Sequence, residues 1–143
     1  MEKKIFHIGA IRKNLGGIAR YINLINEFKS QIFSNVIICN NKSQKEKIIK
    51  FDFRYNFFTI LYKVYLLKKI VMNNKIKYIH AHTQKAGLLV SLLKLLSKKI
   101  TIIYTPHGFR HTQVKNIKKI FHFCIEVLIL LNVKKIILIS KHE

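Results

Sequence analysis

Acidic side chains are almost missing from this chain: only 6 of its 143 residues are Asp or Glu, against 27 Lys and Arg. The six, Glu2, Glu27, Glu46, Asp52, Glu126 and Glu143, are scattered, and none is close in sequence to the His80-Ala81-His82 triplet. HxH at a strand end can ligate zinc or iron, but further ligands are scarce, so no metal is expected. The two cysteines, Cys39 and Cys124, are far apart with no CxxC spacing; they are expected reduced, in the core of an intracellular protein. No GxGxxG follows the first strand pattern, and Cys39-Asn40-Asn41 stands where an acidic residue would close a dinucleotide fingerprint. No nucleophile elbow supports a serine triad. Long apolar runs are absent too. Phe57–Val71 is broken by Lys63, Lys68 and Lys69, and Ile120–Val133 by His122 and Glu126, which excludes a spanning helix of about 18 or more apolar residues. Met1-Glu2-Lys3-Lys4 leads straight into a strand pattern rather than a signal peptide.

What is present suits one globular domain over residues 1–143. Half the residues are hydrophobic and spread along the chain, which argues against disorder. The formal charge of +21 comes from 23 Lys and only 4 Arg. Lys, Ile and Asn are encoded by A/T-rich codons, so part of the charge reflects coding bias. It fits a solvated lysine surface and equally an attraction to phosphates or an anionic membrane. A nucleic-acid partner is not expected: the basic residues are scattered and no binding motif occurs.

Strand and helix patterns alternate. Lys4–Ile8 reads as a strand ended by Gly9. Gly16-Gly17 then opens a helix, with Ile18, Tyr21, Ile22, Ile25 and Phe28 at helical spacing. Ser34–Cys39 is a second strand, Asn40–Lys47 a polar loop, and Ile48–Phe53 a short edge strand with one wet face. Helices are predicted over Asn56–Asn73, Thr83–Ser97 and Asn116–Leu131, and strands over Ile76–His80, Lys99–Tyr104 and Lys135–Ile139. In the second of these helices Leu88, Leu89, Leu92, Leu95 and Leu96 are expected on the buried side. The alternation predicts an α/β fold: a Rossmann-like parallel sheet of five or six strands with helices on both faces and right-handed crossovers. The chain stops straight after a strand, as though truncated.

The chemistry concentrates at two strand ends. His80-Ala81-His82 follows one apolar run and Tyr104-Thr105-Pro106-His107-Gly108-Phe109 another. In open α/β sheets ligands sit beyond the carboxyl ends of strands. Pro106 holds Thr105 extended, and Gly108 allows a sharp turn, so His107 is held on a stiff corner. His80 and His82, two apart, point the same way on extended backbone. His7 is assigned to a strand interior, and His122 and His142 to ordinary surface or helix positions. Gly16-Gly17 before a helix suits an anion cradle, and suits a plain loop as well.

His80-Ala81-His82-Thr83-Gln84-Lys85-Ala86-Gly87, then Tyr104–Phe109, then Ile139-Ser140-Lys141-His142-Glu143 resemble glycosyltransferase family 4 in order and spacing. Ile5–Phe28 resembles that family's first βα unit. The resemblance implies a retaining enzyme of the GT-B fold, of which this chain is the N-terminal, acceptor-side half, lacking the C-terminal donor-binding domain. It implies that Gly16 and Gly17 face the donor diphosphate, that His107 approaches the donor sugar as the catalytic-site histidine, and that His82 and Lys85 line the cleft. It implies a nucleotide sugar and a lipid-linked or glycan acceptor as partners, no cofactor and no metal. The setting it implies is surface polysaccharide synthesis in the cytoplasm, at the inner face of the membrane. A half of this kind needs a C-terminal donor-binding chain as partner and is expected to be inactive alone. A non-catalytic basic module that binds a membrane surface is the alternative. For the Asn56–Asn73 helix, packing on the sheet is expected ahead of contact with anionic lipid.

Overall fold

A computed structural model describes residues 3–9, 24, 33–39 and 48–139. The Gly16-Gly17 loop, the helix expected after it, the loop expected over Asn40–Lys47 and the last four residues lie outside the described residues. The described elements in order are β1 (Lys3–Ile8), β2 (Phe33–Cys39), β3 (Ile48–Lys50), α1 (Ile60–Asn73), β4 (Tyr78–Ala81), α2 (Gln84–Leu96), β5 (Thr101–Tyr104), a 3-10 turn (Arg110–Gln113), α3 (Ile117–Asn132) and β6 (Lys135–Ile136). The six strands form one parallel sheet in the order β3-β2-β1-β4-β5-β6.

That order places the site. β1 and β4 are neighbours at the centre, and the direction of strand succession reverses between them, which is where open α/β sheets open a crevice. Phe6 pairs with Ile79 and Ile8 with Ala81; Ile79 pairs with Ile102 and Ala81 with Tyr104. All six of these side chains are buried. They share the face that carries the three described helices, since Gly87 of α2 lies against Tyr104 of β5 and Ile129 of α3. α1 packs on α2 and α2 on α3, as three successive right-handed crossovers in one direction require. Side chains alternate along a strand, so His7, His80, His82 and Thr105 point to the opposite face.

Local chemistry explains the element ends. Thr83 sits extended and its Oγ1 accepts from the Ala86 amide at 3.1 Å, an N-cap that starts α2 one residue after His82. Asn56 and Thr59 exchange backbone and side-chain hydrogen bonds ahead of α1, which starts that helix at Ile60 rather than at Asn56. At its far end Asn74 caps through its side-chain amide to the Ile70 carbonyl.

Several expectations are corrected. The strand expected over Ile48–Phe53 pairs only as far as Lys50, although Phe51 and Phe53 still turn inward and are buried. β6 pairs over Lys135–Ile136 only. α2 buries Ala86, Gly87, Leu89, Val90, Ser91 and Leu93 and leaves Leu95 and Leu96 exposed; Gly87 on the buried stripe lies close against Tyr104 and Ile129. Cys124, expected in the core, is an exposed free thiol, since α3 turns Glu126 and Ile129 inward. The side chain of Cys39 lies outside the described residues.

Candidate functional site

The two histidine-bearing segments are hooked to the sheet beyond their strands. The His82 amide donates to the Ile8 carbonyl and the Thr105 amide to the Ala81 carbonyl, each at 2.9 Å. The ladder thus runs past the formal ends of β4 and β5 and carries His82 and Thr105 onto one rim. Pro106 follows, buried, and Gly108 turns the chain at φ +88°, a left-handed conformation that side chains resist. Between them His107 is half-buried, its ring centroid 6.1 Å from that of His82.

Behind His107 lies a group of imidazoles. His7 and His80 are register partners on β1 and β4. His7 Nδ1 and His82 Nε2 are 3.1 Å apart and share a hydrogen bond. The His80 and His82 rings lie 4.0 Å apart between centroids. His80 Nε2 meets Thr105 Oγ1 at 2.7 Å. All four residues are buried. One nitrogen from each of His7, His80 and His82 falls within 4.8 Å of the others. Burial, with His7 and His107 adding like charge, pushes the His80 imidazole down to about 3. Burial, and then the neighbouring histidines, pushes His82 further down still. The His80 and His82 rings are therefore neutral at ordinary pH.

His80, His82 and His107, expected on one rim from the sequence, do lie together, with His82 and Lys85 expected along the cleft wall. His82 is fully buried, so only His107 carries the group towards the surface. His7 was missed. Its signal was available: in a sheet whose first strand neighbours the strand carrying His80, a histidine at the end of the first strand on the matching face must lie beside it.

Lys85 is exposed in the first turn of α2, its ammonium 5.9 Å above the Tyr55 ring. The Tyr55 hydroxyl donates to the Lys85 carbonyl at 3.0 Å, and burial pushes that phenol upward. Nearby, Gln84 bridges α2 and α3. Its amide donates to the Glu126 carboxylate at 2.8 Å and to the His122 carbonyl at 3.0 Å, and its oxygen lies 2.8 Å from His122 Nδ1. Gly16 and Gly17 are outside the described residues, so their expected place next to the rim that carries His107 is untouched by this geometry.

A parallel sheet with its polar groups gathered on the carboxyl rim of the central strands defines a Rossmann-like α/β domain of the kind that binds ligands at that rim. A family model described as glycosyl transferase 4-like matches residues 17–140. The chain belongs to that family. Three solved structures share the fold. Sucrose-phosphate synthase from Thermosynechococcus elongatus is 15% identical with a TM-score of 0.73, covering 94% of this chain and 42% of its own. The S. aureus MnaA–UDP co-structure is 11% identical with a TM-score of 0.68, covering 95% and 37%. The lipopolysaccharide outer core galactosyltransferase WaaB is 16% identical with a TM-score of 0.55, covering 90% and 42%. A 4-hydroxy-tetrahydrodipicolinate reductase from Buchnera aphidicola is 34% identical over 89 residues, 59% of this chain and 32% of the enzyme. The GxGxxG of a dinucleotide site has no counterpart in this sequence. The chain thus spans less than half the length of each of these proteins.

Proposed function

We propose that this chain supplies the acceptor-side half of a retaining sugar-transfer site. In this reading a nucleotide sugar is the donor, a lipid-linked glycan is the acceptor, and the product is a surface polysaccharide. The observation that carries the reading is His107, fixed between Pro106 and Gly108 on the same rim as His82 in a chain of the glycosyl transferase 4-like family. Transfer needs the donor held in near-attack geometry and fixed positive charge where the diphosphate leaves. His107 is the group assigned to the donor sugar. Gly16 and Gly17, with the Lys85 ammonium, are the groups assigned to the diphosphate side. The remaining donor contacts come from a C-terminal domain, supplied by a separate chain or a longer one, and residues 1–143 alone transfer no sugar.

A second observation favours contact with a membrane surface. Val64, Leu67 and Val71 of α1 pack inward, as expected, yet Phe57, Phe58, Leu61, Tyr62 and Tyr65 are exposed beside Lys68 and Lys69. Tyr55 ties the start of this segment to the first turn of α2, so the aromatic residues stand at the rim where a lipid-linked acceptor would arrive. Among the described residues no helix is long and apolar enough to cross a membrane, so the contact is peripheral.

The test is transfer from a panel of nucleotide sugars to lipid-linked acceptors, with a matching donor-binding domain added in trans. Transfer should need both parts, and His107→Ala should reduce it by about a hundredfold or more, the scale of losing a positioned transition-state contact. Turnover by the 143-residue chain alone, or unaffected turnover in His107→Ala, would overturn the assignment. Binding to anionic vesicles should weaken with salt; equal binding to neutral vesicles would remove the electrostatic part.

A further inference from the structure

We propose that His7, His80 and His82 form a three-imidazole site for one zinc-like divalent transition-metal ion. The inference does not depend on sugar transfer. Three buried imidazoles on one face of two adjacent central strands converge so that one nitrogen from each lies within 4.8 Å of the rest. A hydrogen-bond network accounts for the His7–His82 and His80–Thr105 pairs, but it does not require all three rings to meet at one point. Zinc–nitrogen bonds of about 2.1 Å in tetrahedral geometry separate ligand nitrogens by about 3.4 Å. The His7–His82 pair is already at 3.1 Å. The widest pair must close by about 1.4 Å, within reach of side-chain rotation on a fixed backbone.

The proton count balances. His7 and His82 share one N–H in their hydrogen bond. When both nitrogens coordinate, that proton moves to the distal nitrogen of the ring that held it, by a change of tautomer. The tautomer change releases no proton. Thr105 Oγ1, beside His80, is a polar neighbour of the kind that orients a ligating histidine. Borderline-soft imidazole donors without a carboxylate select zinc, copper or nickel rather than magnesium or calcium. Three protein ligands leave a fourth position open. Neutral ligands leave the charge of the ion intact, so that position takes hydroxide or another anion, from the side where His107 stands.

The experiment uses the full chain, stripped with chelator, and Co²⁺ as the probe, followed by Zn²⁺ competition. One Co²⁺ per chain with a tetrahedral visible spectrum, displaced by Zn²⁺, is expected. His7→Gln and His82→Gln, each checked for fold by circular dichroism, should each weaken binding about a hundredfold or more, at least the loss seen when an outer-shell partner is removed. Cys124→Ser and His142→Gln should leave it unchanged. X-ray absorption on the unaltered Zn²⁺ protein should show three imidazoles, a readout that needs no variant to fold. Absence of stoichiometric binding, binding retained in both histidine variants, loss of binding in Cys124→Ser or His142→Gln, or a shell dominated by sulfur or oxygen would each overturn the site.

Discussion

Acid should unfold this protein from its histidine cluster, well before its carboxylates titrate. His80 titrates near 3 in the folded chain against an ordinary value of 6.5, and His82 is shifted the same way. The sign follows from proton binding. Below about pH 6.5 the unfolded chain takes up protons that the two buried rings refuse, so stability falls as pH falls. It is fully present above pH 6.5 and is lost progressively towards pH 3. Each group contributes about 1.4 kcal/mol per pH unit in that window. Two groups give a loss of about 4 kcal/mol between pH 7 and pH 5, a large part of a domain stability of about 5–15 kcal/mol. Asp52, held down to about 2 chiefly by the Arg54 amide, acts only below its ordinary value of 3.8, so it does not enter this window. Urea denaturation in chelator at pH 7.5, 6.5, 5.5 and 5.0 measures the slope. Repeating it in high salt separates the effect from self-repulsion of the +21 chain, since salt screens surface charge and not burial. His82→Gln should remove roughly half of the slope. A stability unchanged between pH 7 and pH 5, or a slope unaltered in both His80→Gln and His82→Gln, would refute the reasoning.

Thr105→Val deletes the hydroxyl that His80 Nε2 meets at 2.7 Å in a buried site; the orphaned ring nitrogen should cost about 1–3 kcal/mol in urea denaturation, and Thr105→Ser should recover most of it. Gly87→Ala places a methyl 2.9 Å from Ile129 Cδ1 and 3.2 Å from Tyr104 Cε2. Overpacking of about 1–3 kcal/mol outweighs a helix-propensity gain of about 1 kcal/mol, so a net loss is expected. Ile129→Val in the same chain should restore part of it, and a gain in stability from Gly87→Ala alone would contradict the packing. Gly108→Ala forces a side chain into φ +88° and to 3.2 Å from Gln113 Nε2; it should cost at least about 1 kcal/mol and lower reconstituted transfer further, by moving His107.

The sheet was legible because its central strands β1 and β4 are buried on both sides, and its strands read as short apolar runs between helical patterns. Strand order was harder to read, since it depends on where crossovers return, and with it went the identity of the third imidazole. Element ends were less legible for a related reason. Ile48–Phe53 alternates like a strand, and Phe51 and Phe53 do turn inward, but the described part of the partner strand β2 reaches only Cys39, opposite Lys50. Pairing cannot outlast its partner, whatever the pattern of side chains. Leu95 and Leu96 mislead in the opposite direction. A run of leucines marks a helix without saying which stripe faces inward. Here Gly87 marks the inward stripe, because it permits the close approach to Tyr104 and Ile129. The candidate site shows both limits together. His107 was readable from Pro106 and Gly108, which fix backbone locally. His82 was readable as a rim residue, but not its burial beside His7, which is 75 positions away in sequence. Local chemistry fixes a corner from a few residues, whereas burial of a polar ring depends on partners that only the assembled sheet brings beside it.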